Sequence, residues 1–127
     1  MENKTAIVTG GSSGIGLAIC EKLLEGGMEV YSISRNPRKM KGKELLHPMQ
    51  LDLSDLNAVS SFLSSFVKQN GVPDLVINNA GYGAFYEWKE FPDEELVRQF
   101  AVLFSAPVLF CKTFVPLMQE SGKGTIV

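Results

Sequence analysis

The sequence predicts an α/β domain: a parallel sheet wound on both faces by helices. Short apolar runs that read as strands alternate with amphipathic helical stretches along the chain, the pattern of a sheet covered on both sides. A glycine-rich turn, Thr9-Gly10-Gly11-Ser12-Ser13-Gly14-Ile15-Gly16, joins the first strand to the first helix. The chain has 127 residues, of which 45% are hydrophobic and 20% charged, enough for one soluble domain with its own core.

The elements follow in order. Lys4 to Val8 reads as a buried strand. After the turn, Ile15, Ala18, Ile19, Leu23 and Leu24 recur at helical spacing, and Gly26-Gly27 ends that helix at Glu25. Glu29 to Ser34 is the second strand. A polar, basic stretch through Asn36, Pro37, Arg38, Lys39, Lys41 and Lys43 reads as a solvated loop. Leu46 to Leu51 is the third strand. Ser54 is the expected cap of the next helix, whose stripe is Leu56, Val59, Phe62, Leu63, Phe66 and Val67. Asp74 to Asn78 is the fourth strand, and Tyr82 to Phe91 a loop. Pro92 and the acidic Asp93, Glu94 and Glu95 suit a helix start. That helical region runs to about Gln119, with a kink expected at Pro107. Thr125 to Val127 begins a fifth strand.

Composition narrows the function classes. A formal net charge of −2 argues against nucleic acid as a partner. Cys20 and Cys111 fall in helical patterns and read as reduced, buried packing residues. No metal-ligand set is expected, and His47 reads as a structural histidine without a visible partner. No leader pattern and no run of 18 apolar residues free of polar breaks is found, so a cytoplasmic protein with no membrane partner is expected.

The chemistry centres on the glycine turn. Glycines let the backbone turn sharply and approach a ligand, while a helix N-terminus offers unpaired N–H groups and its positive dipole end to an anion. Arg35 is the second indicator. Folds that hold a dinucleotide place an acidic residue on the ribose hydroxyls about 20 residues beyond the glycine turn. Here Ser34 is small and neutral, and Arg35 beside it suits a 2′-phosphate through paired, charge-assisted hydrogen bonds. NADP is therefore expected over NAD.

Three motifs, each following a strand, carry a family resemblance: Thr9-Gly10-x-x-x-Gly14-Ile15-Gly16, Leu51-Asp52-Leu53 and Asn78-Asn79-Ala80-Gly81. Together they resemble the N-terminal half of the short-chain dehydrogenases/reductases, a family with a single-domain Rossmann fold. The resemblance covers essentially all 127 residues and implies the strand order 3-2-1-4-5. It implies that Gly10, Ser12, Ser13, Gly14, Ile15 and Gly16 face the diphosphate. It also implies that Asp52, with Leu53, takes the adenine amino group, while Asn79, Ala80 and Gly81 border the adenosine ribose. Tyr82, Tyr86 and Trp88 are given no role.

The family's reaction is hydride transfer between a nicotinamide cofactor and a carbonyl or alcohol. It relies on a serine and on a tyrosine with a lysine four residues on. Tyr31, Tyr82 and Tyr86 are followed at that spacing by Arg35, Tyr86 and Glu90, so the pair is absent from these 127 residues. Counting along the motif puts Leu103 where the family carries a catalytic asparagine. Pro107 has no N–H for the Leu103 carbonyl, which is then expected to hold a water.

Residues 1–127 are therefore expected to be one NADP-binding domain without the catalytic half, part of an oxidoreductase but incomplete alone. An inert NADP-binding or regulatory module, and a structural or partner-binding remnant without nucleotide, are the alternatives. A homo-oligomer is expected through the helical region 93–119 or the edge of the fifth strand.

Overall fold

The computed structural model describes residues 3–37 and 41–127. Five strands, β1 (Thr5–Thr9), β2 (Glu29–Ser34), β3 (Leu46–Gln50), β4 (Leu75–Ile77) and β5 (Thr125–Ile126), form one parallel sheet in the order β3-β2-β1-β4-β5. Helices α1 (Gly14–Glu25) and α2 (Leu56–Asn70) fill the first crossovers. The last crossover holds α3 (Asp93–Phe100), a π turn (Ala101–Ser105) and α4 (Ala106–Ser121). This is the doubly wound topology the alternating pattern predicts. After β3 the chain returns to the opposite side of β1 to lay down β4, and that reversal opens a crevice at the carboxyl ends of the strands.

The two-residue period of β1 divides the core. Ile7 faces one side with Ile33 and Val76, against Val59, Leu63 and Phe66 of α2 and Phe110 and Phe114 of α4. Val8 faces the other with Val30 and Leu46, against Cys20 of α1. Phe110 and Phe114 are fully buried, and each contributes about 1.5–3 kcal/mol by leaving water.

Several expectations change. Ser54 does not cap α2. Asp55 does, its carboxylate accepting from the Ala58 N–H at 3.1 Å, because the Ser54 hydroxyl is already spent on Asp52 Oδ1 at 2.7 Å. Cys20 is buried, but Cys111, on α4, is only half-buried. His47 does have a partner: its Nε2 lies 2.6 Å from Glu29 Oε1, and its ring stacks on Tyr31 with centroids 4.7 Å apart. In parallel pairing Tyr31 stands opposite His47, a neighbourhood that sequence order does not reveal. Within the basic stretch, Arg38 and Lys39 lie outside the described residues.

The irregularity expected at Pro107 sits one turn earlier. The Ala106 N–H donates to the Ala101 carbonyl, a five-residue step, so the helix widens before the proline instead of bending at it. Helix Asp93–Ser121 is long and apolar enough, by length and composition alone, to cross a membrane. One face of it is committed to the sheet through Ala106, Phe110, Phe114 and Met118. The opposite stripe of Val97, Phe100, Phe104, Val108 and Val115 is exposed.

Candidate functional site

A cleft of about 500 Å³ opens over the carboxyl ends of β1 to β4. Gly10, Ser12, Ser13 and Ile15 form one wall, where β1 turns into α1. The Gly10 N–H donates to the Ile33 carbonyl at 2.8 Å, which rests the turn on the end of β2. Gly10 itself has φ of +68°, in the left-handed region that favours glycine. Gly16 does not line the cleft; it lets α1 approach the turn. A Cβ there would overlap the Gly10 carbonyl oxygen and lie 2.6 Å from Asn79 Nδ2. Gly14 also lies outside the lining, at the exposed start of α1.

The end of β2 gives Ser34 and the exposed Arg35. Gln50 Nε2 donates to the Arg35 carbonyl at 3.2 Å, fixing the backbone from which the guanidinium extends. Leu51, Asp52 and Leu53 follow β3 into the cleft. The two leucines are buried in the core, so their packing holds Asp52 at the rim. Asp52 Oδ1 accepts from the Ser54 N–H at 2.9 Å as well as from its hydroxyl. The Ser54 hydroxyl, then its N–H, hold the Asp52 carboxyl below the usual carboxylate range against the opposing effect of burial, with lesser help from the Arg98 and Arg35 charges.

Beyond β4, Asn79 Nδ2 donates to the Thr9 carbonyl at 3.2 Å and the Gly10 carbonyl at 3.4 Å. The Ala80 N–H donates to Thr9 Oγ1 at 3.0 Å. These bonds splice the exit of β4 to the exit of β1 and bring Ala80 and Gly81 to the cleft floor. The structure therefore gathers Gly10, Ser12, Ser13, Ile15, Ser34, Arg35, Asp52, Leu53, Asn79, Ala80 and Gly81 around one space.

Beyond the predicted site residues the lining also includes Ile33, Asn36 and Leu51 at the strand ends and Tyr82, Arg98 and Val102 further along the chain. Tyr82 had been given no role. Its hydroxyl is buried without a hydrogen-bond partner among the described residues, and burial, with the Glu95 carboxylate nearby, pushes the phenol up. Arg98 reaches the cleft from α3, and nothing in its local sequence marks it. Tyr86 and Trp88 lie off the lining, and the Trp88 side chain is 93% exposed.

The residues present fit a phosphate-bearing nucleotide. Among the described residues Ser34 Oγ is a buried polar atom without a hydrogen-bond partner at the cleft, and Ser13 leaves the first N–H groups of α1 without a side-chain cap. Arg35 and Arg98 add two cations to a lining with a single carboxylate, Asp52. Among the described residues no cluster of His, Cys, Asp and Glu suitable for a metal ion is found.

Comparison with known proteins agrees with this geometry. The short chain dehydrogenase family matches residues 4–127. An uncharacterised oxidoreductase of Schizosaccharomyces pombe is 36% identical over 122 residues, which cover 94% of this chain and 41% of that protein. A metagenomic short-chain oxidoreductase solved in complex with NADP is 31% identical with a TM-score of 0.87, over 97% of this chain and 59% of that one. A short-chain dehydrogenase of Leptospira borgpetersenii with bound NAD+ is 26% identical with a TM-score of 0.86, over 99% of this chain and 50% of that one. The chain spans somewhat under half the length of the first curated relatives it matches. The strand order, the three strand-end motifs and the family match together make this chain a member of the short-chain dehydrogenase/reductase family, with its Rossmann architecture.

Proposed function

We propose that residues 1–127 form the NADP(H)-binding domain of an oxidoreductase that moves a hydride between the nicotinamide and a carbonyl or alcohol substrate. The observation that carries this is the end of β2, where Ser34 stands in place of a ribose-binding carboxylate and Arg35 lines the cleft beside it. A carboxylate there would repel a 2′-phosphate, whereas a guanidinium binds it as a paired fork. In this reading the turn from Gly10 to Gly16 receives the diphosphate. Asp52 takes the adenine amine, and Asn79, Ala80 and Gly81 border the ribose. The cofactor, when bound, supplies or accepts the hydride.

Titration of the chain with NADPH and NADH, followed by nucleotide fluorescence, tests the reading. NADPH is expected to bind about tenfold tighter or better, since one charge-assisted hydrogen bond contributes about 1.5–3 kcal/mol. Arg35→Ala removes that preference. Equal affinity for the two nucleotides, or no binding at millimolar NADPH, refutes it.

The residues that would act on the substrate oxygen are not among these 127, and turnover by this chain alone is not expected. Leu103 favours a second reading, an inert nucleotide-binding module, because its side chain cannot form the hydrogen bond an asparagine would. The Leu103 carbonyl has no N–H from Pro107 and is proposed to hold a water. The exposed stripe from Val97 to Val115 supports self-association through this helix, with the β5 edge as the other candidate surface. Commitment of the helix's other face to the sheet supports a core helix and not a membrane span, the net charge of −2 supports a protein working without nucleic acid, and a cytoplasmic location is proposed with them.

A further inference from the structure

The cleft is closed on one side by a polar clasp that neither the motifs nor the family match assigns. Arg98 Nη1 donates to Ser54 Oγ at 3.0 Å, and that hydroxyl donates in turn to Asp52 Oδ1 at 2.7 Å. The same guanidinium nitrogen lies 3.7 Å from Asp52 Oδ2, and the guanidinium carbon sits 5.7 Å from the centre of the Tyr82 ring. Arg98 thus lies over the Tyr82 ring while it reaches from α3 to the loop after β3. On α3, which has no buried residue, Arg98 is half-buried together with Glu95 and Gln99, while Leu96, Val97 and Phe100 are exposed.

The clasp leaves Asp52 in a defined state. Oδ1 accepts two hydrogen bonds, from the Ser54 N–H and hydroxyl. Oδ2 faces a positive charge at a distance too long for a hydrogen bond and keeps its accepting capacity. An ion pair this exposed adds little to stability, so its physical effect is on orientation and charge. We propose that Arg98 is a positioning residue for base recognition: through Ser54 it fixes the Asp52 carboxylate so that Oδ2 is left to accept from an amino group, which selects adenine over a 6-oxopurine.

The proposal rests on the reading of the cleft as an NADP(H) site. The exocyclic amine of adenine donates toward Oδ2. Hypoxanthine presents a carbonyl oxygen at that position, so acceptor meets acceptor and Oδ2 is left without a donor from the base. A site built around a hydrogen bond discriminates strongly against the analogue that cannot make it.

The test measures binding of NADPH and of its deaminated hypoxanthine analogue to the wild-type chain, Arg98→Met, Arg98→Lys and Ser54→Ala. Wild type is expected to prefer NADPH by about tenfold or more. Arg98→Met and Ser54→Ala are expected to cut that preference to about threefold or less, and Arg98→Lys to recover part of it. The NADPH-to-NADH ratio, which depends on Arg35, stays unchanged in Ser54→Ala, which removes no charge from the cleft. Should Arg98→Met fail to fold, Ser54→Ala carries the same test. A variant that loses affinity for both purines equally shows Arg98 to be merely structural and overturns the proposal, as does unchanged selectivity. A wild-type chain that binds neither nucleotide removes the underlying reading as well; one that binds NADPH without preferring it to the hypoxanthine analogue removes only this inference.

Discussion

Asn79 offers a sharp test of how the site is assembled. Its amide nitrogen faces two carbonyl oxygens, Thr9 at 3.2 Å and Gly10 at 3.4 Å, and with the Ala80 N–H it joins the ends of β4 and β1. Asn79→Ala removes both bonds. At about 0.5–1.5 kcal/mol each, with these two at the long end of the range, the loss is about 1–2 kcal/mol. Asn79→Asp keeps the shape but turns the donor into an acceptor. An ionised carboxylate would then face two carbonyl dipoles in a half-buried position, so protonation is favoured and the new carboxyl's pKa rises in the folded state.

The sign follows from linkage. A group with a raised folded pKa contributes its stability fully below the unfolded value, about 3.9, and loses it as pH rises through the folded value. The Asp variant should therefore be less stable than the Ala variant at pH 7.5 by about 1.4 kcal/mol per unit of pKa elevation. It should approach or exceed the Ala variant near pH 4, where its protonated hydroxyl donates to one carbonyl. Urea unfolding of both variants at several pH values reads the difference directly and cancels the acid sensitivity of the rest of the chain. An Asp variant as stable as wild type at pH 7.5, or a difference from Ala that does not change with pH, would refute the argument.

Gly16→Ala should cost about 1–3 kcal/mol, because its Cβ meets the backbone of Gly10, which cannot rotate away as a side chain would; thermal unfolding measures it, and nucleotide affinity should fall with stability. Ser54→Ala should raise the Asp52 pKa toward the ordinary carboxylate value by removing the hydroxyl that chiefly depresses it. The wild-type carboxyl, held low in the fold, contributes stability above the unfolded pKa and loses it as pH falls through the folded one. The gap between wild type and this variant should therefore narrow on acidification, as carboxylate titration by NMR and unfolding at two pH values would show.

What this sequence determined by itself is what neighbours in sequence can encode. The two-residue period of β1, the glycines at its end and the helical spacing from Ile15 to Leu24 are local. They specify a strand, a sharp turn and a helix without reference to the rest of the chain. The repeated alternation then leaves few topologies, the family resemblance carried by the three strand-end motifs implies the order β3-β2-β1-β4-β5, and residues at strand ends stand out as those such a sheet gathers. Arg35 and Asp52 were legible for the same reason: each ends a strand, and in a parallel sheet all strands end on one side.

Tertiary structure decided the partners. Asn79 finds its acceptors, Thr9 and Gly10, only because β4 lies beside β1. His47 looks solitary until β2 and β3 pair and bring Glu29 and Tyr31 to it. Ser54 resembles a cap in sequence, yet Asp52 and Arg98 claim its hydroxyl and leave the cap to Asp55. Arg98 itself is an ordinary surface arginine on an acidic helix until the last crossover lays it over the cleft. The reason is common to all four. A hydrogen bond needs its partner within about 3 Å, and residues distant in sequence reach that separation only when burial elsewhere has fixed the elements that carry them.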